Sequence, residues 1–276
     1  MISQISPVLM TDNDTLTDST GMTDTVTATA LDRQRNTKIS DFWHQKYRQD
    51  LGKNWNLFYK RNETRFFRDR HWIPQEFPEL LSIVRKLKLF EVGCGVGNFT
   101  FPLAELNEEL EVVGCDISAK AVELFKENEA YVSGRFNVFV ADIIKDDLSQ
   151  VVGEGSVDIA TSIFVLSALP PETLPQVIKN VWKTIKPNGS WFIRDYSSSD
   201  AAQHRFNPDK SQLERGLFVR QDGTLAHYFD PEELKGLTEE LFEVVECKEI
   251  KSRTSNVKMG LDLERSFIQL KLRKRA

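Results

Sequence analysis

LKLFEVGCGVG, residues 87–97, is a short apolar run that breaks into a glycine-rich turn. Leu87, Leu89, Phe90 and Val92, with Val84 before them, read as a buried strand. Gly93, Gly95 and Gly97 then let the backbone take positive φ and approach a ligand, and an apolar helix over 98–106 presents free N–H groups behind them. The spacing is G-x-G-x-G, not the G-x-G-x-x-G that receives a dinucleotide pyrophosphate. A second strand, 110–115, ends in Asp116, 23 residues after Gly93. A carboxylate at that strand end is where an α/β sheet holds a ribose by both hydroxyls. With no pyrophosphate to seat, the ligand this pattern selects is an adenosine carrying a sulfonium amino acid, S-adenosylmethionine. The competing reading makes the triplet a tight turn and Asp116 a cap for the helix from Ser118. Strand, helix, strand and acid in register favour the nucleoside.

Outward from this unit the same alternation repeats. Ser118 caps a helix to about 129, a third strand covers 136–140, and Asp142 follows at its end. There a carboxylate can accept from an adenine amino group with Ile143 against the ring; the alternative for Asp142 is a turn residue. VDIATSIFVL, 157–166, is a near-continuous apolar run, hence a central buried strand whose carboxyl end floors the active crevice. A helix from Pro171 stops at Lys186-Pro187-Asn188-Gly189, and a fifth strand, 190–193, leads into Arg194-Asp195-Tyr196. The expectation is an α/β fold: a doubly wound Rossmann-like methyltransferase sheet with an N-terminal helical extension and a C-terminal antiparallel hairpin. The hairpin strands fall at 242–250 and 265–272 with 251–260 as their loop, while polar 197–224 reads as an insertion over the active face, ending by about 229.

The chain has 276 residues, 40% of them hydrophobic, enough for one large α/β domain with extensions. Three domain segments are expected: a tail over 1–37, an extension over 38–85 and the methyltransferase domain over 86–276. A net charge of −5 excludes a generally basic nucleic-acid coat, so any RNA contact must come from a local patch. Cys94, Cys115 and Cys247 have no C-x-x-C spacing, which points to a reduced intracellular protein with neither zinc site nor disulfide framework. No apolar run reaches membrane-spanning length and the N-terminus resembles neither a secretory signal nor a mitochondrial presequence. The expected location is the cytoplasm, with the nucleus open.

Residues 1–32 hold eight threonines, five aspartates and no lysine or arginine, so disorder is expected there. From Asp41 the composition inverts. Between Lys46 and Arg70 eight Lys/Arg stand against three acids, interleaved with aromatic residues. Such interleaving suits a surface that grips phosphate and stacks bases, with Lys60, Arg61, Arg65 and Arg68 as phosphate ligands. It also suits an amphipathic helical pair whose charges are merely solvated. Trp55 and Tyr59, an i, i+4 pair, share one helix face, which is either core or a lid over the cofactor.

The blocks NWNLFYKRN (54–62), FFRDRHW (66–72), EVGCGVGN (91–98), IFVLSA (163–168), FIRDY (192–196), Arg205-Phe206 and VRQDGT (219–224) resemble the tRNA 3-methylcytidine methyltransferases, from about residue 53 to 269. Asn56 departs from the aspartate common in that family, and Ile143 from a frequent leucine. The resemblance implies methylation of N3 of cytidine 32 in the anticodon loop of a tRNA. It also implies a cofactor site lined by Trp55, Tyr59, Gly93, Asp116, Asp142, Ile143 and Ile163, and in some members a tRNA-charging partner such as seryl-tRNA synthetase. Cytosine N3 has a free in-plane lone pair, so the chemistry needs no general base. What it needs is a flipped base, in-line geometry and a group that meets the positive charge reaching the ring. Asp195 and Arg194, at the end of the fifth strand, are the catalytic candidates, and Arg205 and Arg220 the RNA contacts of the insertion; an ion pair or turn is the alternative for Arg194-Asp195. A small-molecule methyltransferase on the same fold, with 55–72 as an apolar lid, is the competing function.

Overall fold

The computed structural model describes residues 39–81, 86–256 and 261–275. The tail expected to be disordered and Val84 lie outside them. Five strands form the parallel part of the sheet: β1 (Lys88–Val92), β2 (Glu111–Asp116), β3 (Phe136–Val140), β4 (Val157–Ile163) and β5 (Ile185–Tyr196). They alternate with α4 (Thr100–Leu106), α5 (Ala119–Lys126), α6 (Ser149–Val152) and α7 (Leu174–Thr184), after a leading α1 (Asp41–Gln49), α2 (Leu51–Asn62) and α3 (Ile73–Glu76). Then come α8 (Pro208–Ser211), β6 (Gln212–Glu214), β7 (Leu217–Val219), β8 (Leu225–His227), α9 (Pro231–Thr238), β9 (Phe242–Asn256) and β10 (Leu261–Lys274).

The large sheet runs β3-β2-β1-β4-β5-β10-β9, parallel through β5 and antiparallel beyond it. Its interior follows from a strand period of two. Phe90 and Val92 of β1 join one core with Trp191, Val177, Val181 and Leu234, whereas Leu89 faces the other with Leu103, Val112, Phe125 and Phe192. Both faces are covered, which is why these strands read as unbroken apolar runs. Crossing from β1 to β4 reverses the strand order and opens a crevice at their carboxyl ends. Among the described residues no helix is long and apolar enough to cross a membrane.

Three expectations change, the first at the fifth strand: β5 is not 190–193 but Ile185–Tyr196, and takes in the 186–189 segment read as the end of the preceding helix, which stops at Thr184. Residues 197–229 are not a polar flap. Strands β6, β7 and β8 form a small antiparallel sheet whose Leu213, Leu217 and Leu225 are fully buried and pack with Leu51 of α2. Each strand has only three residues, so the inward leucines are diluted by polar neighbours in the sequence. The hairpin strands are also longer than 242–250 and 265–272: β9 and β10 stay paired from Lys274↔Phe242 to Leu261↔Asn256, across much of the segment read as a loop. Lys251, Ser252 and Arg253 are exposed, and 251–256 holds no apolar residue whose period could reveal a strand.

Candidate cofactor and substrate site

The glycine turn after β1 carries Gly93, Gly95 and Gly97 at φ of 67°, 54° and 92°, left-handed values that side chains rarely adopt. A Cβ on Gly93 would lie 2.5 Å from Val165 and one on Gly95 2.7 Å from the Tyr59 hydroxyl. The loop is fixed from β2: Cys94 N–H donates to the Cys115 carbonyl at 2.9 Å, and Asp116 Oδ2 accepts from Gly95 N–H at 3.0 Å. Asp116 Oδ1 accepts from Ser118 N–H at 2.8 Å. Two lone-pair positions remain for a pair of hydroxyls. Burial raises the Asp116 carboxyl to about 6.

This turn borders a cavity of about 890 Å³, open mouth included. Trp55, Tyr59, Gly93, Gly95, Asp116, Asp142, Ile143 and Ile163, drawn from five separate segments, all line it. At one end Ile143 is buried and its carbonyl accepts from Asn180 Nδ2 at 3.0 Å, so α7 holds this wall in place. Asp142 serves two roles: it lines the cavity and also closes its own turn, accepting from Ile144 N–H at 3.0 Å and pairing with Lys145 at 2.8 Å. Trp55 and Tyr59 are likewise both wall and core, because Tyr59 and Phe58 pack on Val96 and Ala121 behind the glycine turn. Asn56 Oδ1 accepts from Ser118 Oγ and Lys120 N–H, so the departure from aspartate keeps the oxygen that tethers α2 to α5.

The catalytic candidates lie elsewhere. Asp195 is 0% exposed and outside the cavity lining, with its oxygens accepting from Ser167 N–H at 3.0 Å and Tyr196 N–H at 2.9 Å. Its geometry is that of a positioning residue tying β5 to the turn after β4. Arg194 is 5% exposed, stacked 4.1 Å over Trp72 and 3.8 Å from Glu76, and desolvation lowers it to about 10. It also falls outside the cavity lining. Strand position alone located both residues at the active edge but could not say which way each side chain turns. Of the expected RNA contacts, Lys60, Arg61, Arg65, Arg68 and Arg205 are exposed, with Arg65 paired to Glu63 at 2.8 Å. Arg220 instead braces its own hairpin by donating to the Leu225 carbonyl.

Among the lining residues not selected from the sequence, Glu91 and Arg70 are ionisable, and Phe164 lies in the strand end expected to floor the crevice. Glu91 is buried against the Thr100 hydroxyl, which donates to it, and burial pushes its carboxyl up to about 8. Arg70 lies over the rings of Phe67 and Phe164, 5.9 and 5.1 Å from their centroids. Phe164 has φ 60°, which is rare for a bulky residue. Arg70 was visible only as one cation among eight, and nothing in a linear reading separates it from its exposed neighbours.

A methyltransferase domain family matches residues 90–191. The tRNA N(3)-methylcytidine methyltransferase trm141 of Schizosaccharomyces pombe is 42% identical over 237 residues, covering 84% of this chain and 96% of that one. The chain belongs to the tRNA N(3)-methylcytidine methyltransferase family. The human tRNA N(3)-cytidine methyltransferase METTL6 is 43% identical over 243 residues, covering 86% of this chain and 85% of its own. A solved S-adenosylmethionine-dependent methyltransferase from Anabaena variabilis shares the fold at TM-score 0.61 and 15% identity, over 82% of this chain and 95% of that chain. A Burkholderia thailandensis N1-methyltransferase with bound S-adenosylhomocysteine aligns at TM-score 0.57 and 16% identity, over 84% of this chain and 90% of that one. The S-adenosylhomocysteine held by that Burkholderia enzyme is what remains of S-adenosylmethionine once its methyl group has been transferred. The residues present fit it: acidic Asp116 where ribose hydroxyls need acceptors, an apolar Ile143 wall for a purine, and a glycine cradle that a Cβ would fill.

Proposed function

We propose that this protein methylates N3 of a cytidine at position 32 of a tRNA anticodon loop. The observation that carries the reading is one of placement. The α2 helix and the segment after it wall the cofactor cavity with Trp55, Tyr59, Phe67 and Arg70, and the same stretch exposes Lys60, Arg61, Arg65 and Arg68. Phosphate is thus attracted to the rim of the cavity in a chain whose net charge is −5. The relatives' names add the base and the atom, and one from Saccharomyces cerevisiae, 38% identical over 205 residues, adds position 32.

When bound, the cofactor supplies a methyl group on a sulfonium. Asp116 would hold its ribose, Ile143 and Asp142 its adenine, and the backbone of Gly93 and Gly95 its amino-acid end, with Glu91 and Arg70 available to its ammonium and carboxylate. The N3 lone pair attacks without a base, so the protein has no proton to move. Its work is to keep the cytidine unpaired, align N3 and exclude water. A tRNA-charging enzyme such as seryl-tRNA synthetase as accessory partner, and a cytoplasmic site of action, belong to the same proposal; the first rests on the resemblance and the second on cysteines that stay free.

The test is methyl transfer from labelled cofactor into total tRNA, with and without added synthetase, followed by nucleoside analysis. Label in 3-methylcytidine is expected. Label confined to small metabolites of an extract would overturn the reading in favour of a small-molecule enzyme.

A further inference from the structure

Phe164 follows Ile163, the last residue of β4, in a left-handed conformation that bulky side chains avoid. The turn is held on both sides. Phe164 N–H still donates to the Arg194 carbonyl at 2.8 Å, and the ring packs on Tyr196 at 5.1 Å and Phe267 at 5.3 Å. The result is an aromatic ring brought into the cavity wall beside Ile163 and Val165. Phe67 is also in the wall, and the Arg70 guanidinium lies over the Phe164 ring at 5.1 Å and over the Phe67 ring at 5.9 Å. Among the described residues that guanidinium has ring partners and no hydrogen-bonded acceptor. This slot in the wall therefore holds a flat, delocalised cation over aromatic faces.

We propose that this slot is the seat of the target base: the cytosine stacks on Phe164, and Arg70 leaves the ring face to pair with the cofactor's carboxylate. The inference rests on the reading that the substrate is a cytidine methylated at N3. The chemistry matches the slot. As the N3–C bond forms and the C–S electrons return to sulfur, one positive charge moves from sulfur onto the cytosine ring, with no proton exchanged. A neutral planar ring becomes a planar cation like the guanidinium it displaced. An aromatic face attracts the second more strongly than the first, so Phe164 stabilises the transition state beyond the bound substrate. A carboxylate is not required at the base, which agrees with Asp195 lying buried away from the cavity.

The experiment compares an anticodon stem–loop RNA carrying cytidine with one carrying 3-methylcytidine at the target position, in binding and single-turnover assays. Wild type is expected to bind the methylated RNA several-fold more tightly. Phe164→Leu should abolish that preference and slow single-turnover methylation at saturating cofactor by about 10- to 100-fold, while Phe164→Tyr stays within about threefold of wild type. Should Phe164→Leu fold poorly, Phe67→Leu, on the half-buried loop, is expected to show the same loss of preference. An active wild type with no preference, or a Leu variant as fast as wild type, removes the base seat and leaves the proposed function standing. A wild type that forms no 3-methylcytidine in any tRNA removes the function itself.

Discussion

At the scale of single residues, the site is governed by two carboxyls raised by burial to different heights. Asp116, at about 6, is charged at neutral pH and able to accept two hydroxyls. Asp116→Ala is expected to weaken cofactor binding by roughly 1.5 to 3 kcal/mol in calorimetric titration, the loss of a charge-assisted pair. The wild-type affinity should also fall as pH drops through about 6, because protonation removes that acceptor. Glu91, at about 8, is mostly neutral at pH 7, and a cationic ligand beside it would draw the value down. Binding at pH 7 should therefore release about one proton, read from the dependence of binding heat on buffer ionisation enthalpy, and Glu91→Gln should abolish it. The sign for the free protein is fixed by the same value. A carboxyl raised on folding contributes stability that is present below its unfolded range and lost as pH rises through about 8, so the Gln variant should flatten that decline. Unchanged proton release in Glu91→Gln would assign the proton to another group.

At the scale of elements, what the sequence made legible was whatever burial writes as a period. Strands β1, β2, β4 and the core of β5 are covered on both faces and read as apolar runs, and the glycines that punctuate them located Gly93, Gly95 and Asp116. Strands β6 to β8 were missed because three residues are too few to show alternation, and the end of β9 because 251–256 has no apolar residue. Side-chain direction at a strand end was illegible for the same reason: Arg194 lies against Trp72 and Asp195 against Ser167, contacts made by residues 122 and 28 positions away. Asp195→Asn tests the second contact. Its amide nitrogen must face one of two N–H donors, so thermal unfolding should show a loss of about 1 to 3 kcal/mol while cofactor affinity barely moves. A variant of normal stability that methylates slowly would return Asp195 to the chemical step. For the basic stretch, Lys60→Glu with Arg68→Glu should reduce RNA affinity and flatten its salt dependence by about one unit of slope per contact. Identical salt slopes for variant and wild type would make this a solvated face.

At the scale of the whole molecule, the N-terminal extension couples three parts that are distant in the chain. Arg48 of α1 binds Glu172 at 2.6 Å, before α7, and Glu214 of β6, joining the extension to both the large sheet's helices and the small sheet. Asn54 of α2 donates to the Gly223 carbonyl at 2.9 Å, and Gly223 sits at φ 82° with no room for a Cβ beside that amide. Asn56 closes the third side on α5. Helix α2 is therefore held over the cavity from both sides, by α5 and by the 197–229 unit, and the Trp55 and Tyr59 walls owe part of their position to Asn54, which does not line the cavity. Ligand that binds only the assembled wall must supply whatever free energy a loosened anchor fails to supply. Asn54→Ala, remote from the chemistry, is expected to raise the cofactor Kd by about 3- to 10-fold, or roughly 0.7 to 1.4 kcal/mol. Hydrogen exchange should locate the effect: α2 amides exchange faster in the free variant than in free wild type, and saturating cofactor restores their protection. Faster α2 exchange with an unchanged Kd would show that the wall contributes nothing to binding, leaving Trp55 and Tyr59 as core.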